Sequence, residues 1–242
     1  MFRLAKILTL TLAVAAASLV TISCAISNQA QIRVINAVSD SPPLDIYFNG
    51  TKAITNMPFG AVMPDTSPAS YTMVNSGTYP IQGFATGTRS NPVAPGGIIT
   101  LNSFTQYTLV AVGLALNNSL PLLVADNNLA PTLNDVEFRV INASINSPKG
   151  GVDVYLVPPG ADLANYTPAI TGLGNAQASA YQPVPYLAGG YSVIITANLT
   201  KVPFITQSAP APVGSITTYV LLDNPGGTSG MSQTPLVLHD LN

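Results

Sequence analysis

The sequence predicts an all-β protein made of two tandem immunoglobulin-like β-sandwiches of Greek-key type, with antiparallel strands, behind an N-terminal signal peptide. The first observation is a repeat. Residues 33–47 read RVINAVSDSPPLDIY and residues 139–155 read RVINASINSPKGGVDVY, so the second copy begins 106 residues after the first. A repeat of that length is a whole domain rather than a solenoid unit. The second observation is that short runs rich in Val, Ile, Thr and Tyr alternate with Gly, Pro and Asn clusters. The third is the content of 21 Pro and 19 Gly, which disfavours long helices.

Seven short strands are expected in each copy, as in a sandwich of immunoglobulin size. Those of the first copy are 31–36, 44–49, 69–74, 78–85, 97–101, 105–114 and 121–125. Those of the second copy are 136–142, 152–157, 178–183, 190–197, 203–207, 215–223 and 235–239. The stretch 161–177 has the weakest strand pattern, and a helical turn is compatible with it.

Alternation along the second strand of each copy predicts which side chains face the core. Successive side chains of a strand point to opposite faces, so the apolar sets belong inside and Asp45, Tyr47, Asp153 and Tyr155 belong on the other face. The apolar sets are Leu44, Ile46 and Phe48 in the first copy and Val152, Val154 and Leu156 in the second.

The repeat, the leader and the loop-like segments divide the chain into five parts. These are a signal peptide (1–23), a tether (24–30), a first sandwich domain (31–126), a linker (127–135) and a second sandwich domain (136–242). The linker is short and contains Asn and Pro, which break strand periodicity.

The N-terminus has the features of a secretion signal. Arg3 and Lys6 provide a positive start, and 7–20 is an apolar stretch too short to cross a membrane as a helix. The following Thr-Ile-Ser-Cys, which ends at Cys24, resembles a bacterial lipobox, which implies cleavage before Cys24 and a lipid on its sulfur. Ordinary secretion with cleavage after Ala25 is the alternative.

Cys24 is the only cysteine of the chain, so no intramolecular disulfide can form. We therefore expect a bacterial cell-envelope protein that is anchored to a membrane through Cys24. Ala25 after the cysteine favours the outer membrane of a two-membrane bacterium, by resemblance to lipoprotein sorting; a secreted protein is the alternative.

The composition argues against nucleic-acid binding. Charged residues are only 7% of the chain and the net charge is −2, whereas roughly 25% is average for soluble proteins. No basic patch is available to neutralise phosphates.

The residue inventory also argues against an enzyme. His239 is the only histidine and Glu137 the only glutamate, so multi-histidine metal sites and paired-glutamate sites are excluded. No G-x-S-x-G elbow or calcium-loop motif occurs. The sequence predicts no catalytic residues, no cofactor and no metal site.

Four charged residues recur at matched positions of the two copies: Arg33 and Asp45 in the first, Arg139 and Asp153 in the second. We expect a structural role, in which each arginine forks onto the aspartate of its own copy or onto turn carbonyls. A ligand site at that end of each domain is the alternative. The asparagines that follow the arginines, Asn36 and Asn142, are expected to tie down the next turn through Asx-type bonds.

Tyrosines offer the remaining candidates for binding. Those at strand positions repeated between the copies are expected in core or corner packing: Tyr71, Tyr107, Tyr191 and Tyr219. Those in less regular sequence are candidates for ligand contact: Tyr166, Tyr181 and Tyr186. The first functional hypothesis is a non-enzymatic envelope module that binds a protein or polymer partner or builds surface structure. The alternatives are a carbohydrate-binding module and a subunit of a surface fibre.

The opening R-V-I-N-A, the following Ser-Pro and the closing D-I-Y or D-V-Y resemble the domain-of-unknown-function family 4397 in two tandem copies. The first copy keeps Asp40 before Ser41-Pro42, whereas the second has Asn146 there and an inserted 149–151. The resemblance implies a β-sandwich protein of the bacterial envelope and carries no activity.

Overall fold

The computed structural model describes residues 28–68, 70–115, 117–227 and 230–241, so the predicted signal peptide and Cys24 lie outside the described residues. Strands make up most of the described chain and pack as sheets face to face. The predicted all-β sandwich class is therefore confirmed. The helical structure of the described residues is limited to two 3₁₀ turns, Leu163–Asn165 and Pro225–Gly227.

Nine strands of the described chain form the first sandwich: β1 (Gln29–Val38), β2 (Leu44–Phe48), β3 (Thr51–Met57), β4 (Val62–Met63), β5 (Thr72–Asn75), β6 (Gly77–Ala85), β7 (Pro92–Leu101), β8 (Gln106–Leu114) and β9 (Asn117–Asp126). Sheet A has the order β4-β1-β8-β9, with β5 also pairing with β1. Sheet B has the order β3-β2-β6-β7.

The second sandwich has the same construction, from β10 (Asp135–Asn142), β11 (Val152–Val157), β12 (Ile170–Leu173), β13 (Gln177–Ala178), β14 (Gln182–Pro185), β15 (Tyr191–Ala197), β16 (Pro203–Ala209), β17 (Ile216–Leu221) and β18 (Leu236–Leu241). Sheet C has the order β13-β10-β17-β18, with β14 also on β10, and sheet D has the order β12-β11-β15-β16. Each strand therefore occupies the place of the strand nine positions earlier in the chain.

Strand pairs are antiparallel, as predicted, apart from one pair in each sandwich. β1 pairs with β8 in parallel and β10 pairs with β17 in parallel. A parallel pair needs a long crossover connection, and in each sandwich the whole of the other sheet lies between the two strands in sequence. The first and the penultimate strand of each sandwich thus lie side by side at the centre of a sheet.

The sequence prediction missed β3, β4 and β12. Most side chains of β3 are exposed, so the strand lacks the apolar alternation by which strands are recognised. The sequence marks the turn before β3 with the dipeptide Asn49-Gly50, and both residues have positive φ, 47° and 75°. This is the two-residue hairpin turn that Asn-Gly favours.

Each sandwich has its own apolar core. Leu44, Ile46 and Phe48 lie in the core between sheets A and B, and Val152 and Val154 lie in the core between sheets C and D, with Leu156 packed against it. The predicted inward faces of β2 and β11 are confirmed. Their opposite faces are covered as well, since Asp45, Tyr47, Asp153 and Tyr155 are all buried.

A third apolar layer joins the two sandwiches. It contains buried residues from the outward face of sheet A and from the outward face of sheet C: Ile35, Ala37, Val110, Val112, Ile141, Ala143, Val220, Leu222 and Leu238. The molecule is therefore a stack of four sheets in the order B, A, C, D. Sheets A and C are apolar on both faces because both faces pack against another sheet.

We expect Ile141→Ala, in this joining layer, to lower the free energy of unfolding by about 2–5 kcal/mol, because it opens a cavity in a fully buried site. Ile98→Ala is the matched control, since Ile98 is 72% exposed on β7 and its replacement should cost less than about 1 kcal/mol. Denaturant unfolding of the two variants checks this. Equal losses would mean that sheets A and C are not packed together in solution.

Candidate functional site

Polar residues continue the joining layer toward the end at which β1 and β10 begin. Arg33 and Thr108 lie on the same strand faces as Ile35 and Val110, two residues earlier in each strand. Together with their partners they form what we call the ionic cluster. Its members are Arg33, Tyr71, Thr108 and Asp126 from the first sandwich and Arg139, Tyr181, Thr218 and Asp240 from the second.

Arg33 reaches across the interface to the second sandwich. Its Nη2 donates to Oδ1 of Asp240 and, at 3.4 Å, to Oδ2 of Asp126, while its Nε donates to Oγ1 of Thr108 at 2.8 Å. The guanidinium carbon lies 5.1 Å from the ring centroid of Tyr71. The arginine therefore binds one carboxylate from each sandwich.

Arg139 makes the reciprocal contacts. Its Nη2 donates to Oδ1 of Asp126 at 2.7 Å and lies 3.6 Å from Oδ2 of Asp240. Its Nε donates to Oγ1 of Thr218 at 3.0 Å, and its Nη1 donates to the carbonyl oxygen of Ala125 at 3.1 Å. The guanidinium carbon lies 4.5 Å from the ring centroid of Tyr181. The cluster is thus nearly two-fold symmetric.

Hydroxyl groups complete the coordination of the two carboxylates. Oδ2 of Asp126 accepts from Tyr71 at 2.8 Å and from Thr108 at 2.6 Å. Oδ2 of Asp240 accepts from Tyr181 at 2.9 Å and from Thr218 at 2.5 Å. Buried carboxylates are tolerated only when their oxygens are paired or hydrogen-bonded, and here both oxygens of each aspartate have donors.

The cluster is shielded from water. The side chains of both arginines and both aspartates are at most 1% exposed. Burial alone would lower the pKa of Arg33, but the carboxylates of Asp240 and Asp126 more than offset it, so the pKa is raised above its ordinary value. Burial is also the main cause that raises the pKa of Tyr71 and of Tyr181. Arg33 stays charged and the two tyrosines stay protonated donors.

The predicted pairing of Arg33 with Asp45 and of Arg139 with Asp153 is wrong. In a sandwich the outward faces of the two sheets point away from each other; Arg33 is on the outward face of sheet A and Asp45 on that of sheet B. Asp45 instead binds Nζ of Lys52 at 2.6 Å and the backbone N–H groups of Asn56 and Gly87.

Asp153 has the corresponding position in the second sandwich and accepts from the backbone N–H groups of Gly172 and Leu199. Each aspartate therefore ties the edge strand and one hairpin turn of its outer sheet. The predicted Asx bonds are confirmed, since the side-chain oxygens of Asn36 and Asn142 accept from the backbone N–H groups of Val38 and Ser144.

The three tyrosines proposed for ligand contact lie in three different environments. Tyr166 packs partly buried on the outward face of sheet D, where Nζ of Lys201 binds its carbonyl oxygen at 2.9 Å. Tyr181 belongs to the ionic cluster, so the expectation that it is free to contact a ligand is wrong. Tyr186 is 42% exposed.

His239 is exposed on β18, the edge strand of sheet C, and its backbone N–H donates to the carbonyl oxygen of Thr66 in the first sandwich. The described residues include no group of three or more His, Cys, Asp or Glu side chains placed to hold a metal ion. Within the same residues, no helix has the length and apolar character needed to cross a bilayer.

The sequence contained the signal for the cluster. The equivalent pairs are Arg33 and Arg139, Tyr71 and Tyr181, Thr108 and Thr218, and Asp126 and Asp240. Asp126 is the last residue of β9 and Asp240 the penultimate residue of β18. Their role was not assigned because partners 207 residues apart, such as Arg33 and Asp240, meet only once the sandwiches are stacked.

The fold and the cluster define a protein of two like β-sandwiches fused through a buried ionic interface. The family described as domain of unknown function DUF4397 matches residues 30–155, just over half of the chain, so the chain belongs to this family. The match covers the first sandwich and continues through β10 and most of β11. No curated protein matches the chain significantly.

We expect Arg33→Met to lower the free energy of unfolding by about 3–5 kcal/mol, because it leaves two buried carboxylates with one arginine. Lys149→Met is the control, since that lysine is exposed and lies outside the cluster, so its replacement should change the free energy of unfolding far less. Denaturant unfolding measures both. A loss below 1 kcal/mol for Arg33→Met would show that the cluster does not hold the interface.

Protonation of Asp45 should make the stability of the fold depend on pH in the acid range. The hydrogen bond from Lys52, followed by those from the backbone of Asn56 and Gly87, lowers the pKa of Asp45 to about 2, against about 3.9 in an unfolded chain. The unfolded state therefore binds more protons between about pH 4 and pH 2, and stability falls as the pH falls through this window. A carboxyl ¹³C titration should place the Asp45 midpoint near 2, and Asp45→Asn should flatten the pH dependence there. A midpoint near 4 would contradict the geometry.

Proposed function

We propose that the chain is a non-enzymatic protein of the bacterial cell envelope, lipid-anchored at Cys24, whose two copies of the family domain form one rigid module. The module binds a protein or polymer partner or builds surface structure. The leader and the single cysteine support the anchor. The identical strand order of the two sandwiches supports a second copy of the family domain beyond the matched residues.

The proposal rests on the position of the polar residues that recur in both copies. Arg, Tyr, Thr and Asp recur in both copies, and all eight bind one another inside the ionic cluster. Both carboxylates and both arginines are closed to solvent. Their repetition is accounted for by cohesion between the sandwiches, which favours a mechanical or scaffolding role for the pair.

The positions of His239 and of the candidate tyrosines also favour a non-enzymatic binding or structural module over an enzyme and over a carbohydrate-binding module. A Ser-His-Asp triad would need His239, which lies exposed on an edge strand, while the neighbouring Asp240 points to the opposite face into the cluster. A glycan-binding row would need several exposed aromatic rings, and of the three candidate tyrosines Tyr186 is the well-exposed one.

The test is a pull-down from intact envelopes with the native chain as bait and Cys24→Ser as the matched control. Mass spectrometry of the bait should show a lipid on Cys24, and one reproducible partner should be recovered with the native bait. A bait cut elsewhere and without lipid would remove the anchor from the proposal. Turnover of an envelope polymer by the purified protein, lost in His239→Ala, would overturn the non-enzymatic assignment.

A further inference from the structure

Exposed apolar side chains are concentrated at one end of the molecule, where β1 and β10 begin. Six of the ten large apolar side chains that are exposed in the described residues lie there. We call them the apolar tip: Met73, Phe104, Leu129, Leu133, Tyr186 and Val213.

Hydrogen bonds and strand pairing place these residues at the starts of the two strands. Leu129 follows Asp126, which pairs with Gln106 beside Gln31. In the first sandwich the N–H of Phe104 donates to the carbonyl oxygen of Gln29, and Met73 is paired across from Gln31. In the second sandwich Tyr186 is bonded to Asn134, the neighbour of Leu133.

The loop that holds Val213 is fixed in the same way, since the N–H of Gly214 donates to the carbonyl oxygen of Asp135. The ionic cluster places Arg33 and Arg139 against the same two aspartates, and Ile35 and Ile141, two residues further along each strand, share the joining layer. The strands β1 and β10 therefore start at the same end. The tip therefore belongs to both sandwiches.

Phe104 is held in a conformation that an aromatic residue rarely adopts. Its φ is 59° and its side chain is 72% exposed. The equivalent position of the second sandwich is Gly214, with φ 76° and the matching hydrogen bond to the start of β10. Glycine takes this left-handed conformation without steric cost, whereas a bulky side chain is strained in it. The fold does not need a phenylalanine here, since glycine fills the equivalent position, and the exposed ring is open to a contact outside the chain.

The position of the anchor identifies what that contact is. Cys24 is five residues from Gln29, the first residue of β1, and five residues span at most about 18 Å when fully extended. A lipid on Cys24 would hold the start of β1, and Phe104 beside it, within that distance of the membrane surface. Side chains of an interfacial segment enter a bilayer by about 5–10 Å, so the tip is within reach.

We propose that the apolar tip docks on the lipid bilayer, with Phe104 inserted at the interface beside the anchor. This inference rests on the anchor of the proposed function. A lipid on Cys24 tethers the module at one residue, and contact by the tip would hold the module in one orientation on the membrane. The strands would then stand away from the membrane, with the loops that precede β11 and follow β15 facing outward.

The chemistry of the tip favours uncharged lipid. None of its six residues is charged, and the nearest charged side chains along the second sandwich are those of Asp135 and Glu137, which would repel anionic headgroups. Gln29, Gln31 and Gln106 line a depression of about 370 Å³ between Met73 and Phe104. Docking is therefore expected on zwitterionic phosphatidylcholine, with little dependence on salt.

The experiment uses two properties of the chain: one cysteine, and no tryptophan. The chain from residue 24 onward is coupled through Cys24 to phosphatidylcholine vesicles that carry a maleimide lipid, which replaces biological lipidation. Phe104→Trp reports on the tip. Leu199→Trp is the matched control, because Leu199 also has a positive φ, 63°, and is 91% exposed.

Leu199 lies at the opposite end of the molecule. The side-chain amide of Asn142, the last residue of β10, donates to the carbonyl oxygen of Leu173. Leu173 pairs with Val152, and Val152 pairs with Ala197, which lies just before Leu199. We expect the fluorescence of the Phe104→Trp variant to shift to the blue on coupling and to be quenched by brominated lipid. The fluorescence of the Leu199→Trp variant should change in neither respect.

Phe104→Gly separates docking from folding. It removes the ring and the strain together, so the variant should unfold at no lower denaturant concentration than the native chain. With Cys24 changed to Ser in both chains, its partition into the vesicles should be roughly tenfold weaker or more.

The outcomes are distinguishable from failure of the anchor, because the chemical linkage works whether or not the cell lipidates Cys24. Mass spectrometry of the native protein decides lipidation, and the coupled vesicles decide docking. An unshifted and unquenched Phe104→Trp signal on coupled vesicles would overturn the inference. A blue shift that depends on protein concentration without vesicles would also overturn it and assign the tip to a second copy of the chain.

Discussion

The architecture depends on two arginines and two aspartates that are buried between the sandwiches. Removing charged groups from water is costly, and the cost is recovered only when every group has partners in good geometry. Here each carboxylate binds arginines from both sandwiches, so neither half can bury its charges well without the other. Such a requirement favours one relative position of the two sandwiches over others in which the apolar layer alone could be covered.

The apolar layer and the ionic cluster make different contributions to the same interface. Ile35 and Val110 follow Arg33 and Thr108 on the same strand faces, so a single stretch of two strands supplies both parts. Apolar burial provides non-directional attraction, and the directional hydrogen bonds of the cluster select the register. Sheets A and C are for this reason covered on both faces, while sheets B and D form the outside of the stack.

The two halves are equivalent without being identical. In the first sandwich Asp40, after β1, accepts from the backbone of Ala115 after β8, with Oδ1 at 2.6 Å. In the second, Asp223 follows β17 and accepts from the backbone of Ile145 and Asn146 after β10. The equivalent pair of loops is therefore joined in both sandwiches, by an aspartate of one loop in the first and of the other loop in the second. Phe104 and Gly214 differ in the same manner, but there the costlier residue gains nothing inside the fold.

How much of this could be predicted from the sequence depends on the range of each interaction. The repeat, the inward faces of β2 and β11 and the Asx turns at Asn36 and Asn142 follow from periodicities of two residues and bonds across two residues, so they were predictable. β3 was missed because its side chains are exposed and carry no alternation, although the Asn49-Gly50 turn marks where it begins.

The partner of Arg33 was decided by the tertiary structure alone. Alternation along β2 places Asp45 on the outward face of its sheet, and the sequence determined that much, but it did not show that Arg33 points away from Asp45. Which carboxylate lies opposite Arg33 depends on how two sandwiches stack through outward faces of sheets A and C, and no local pattern encodes the contact between residues 33 and 240. The sequence by itself determined the two sandwiches and their cores, because those follow from local side-chain order. Only the tertiary structure joined them, because a buried ionic interface needs both partners in place at once.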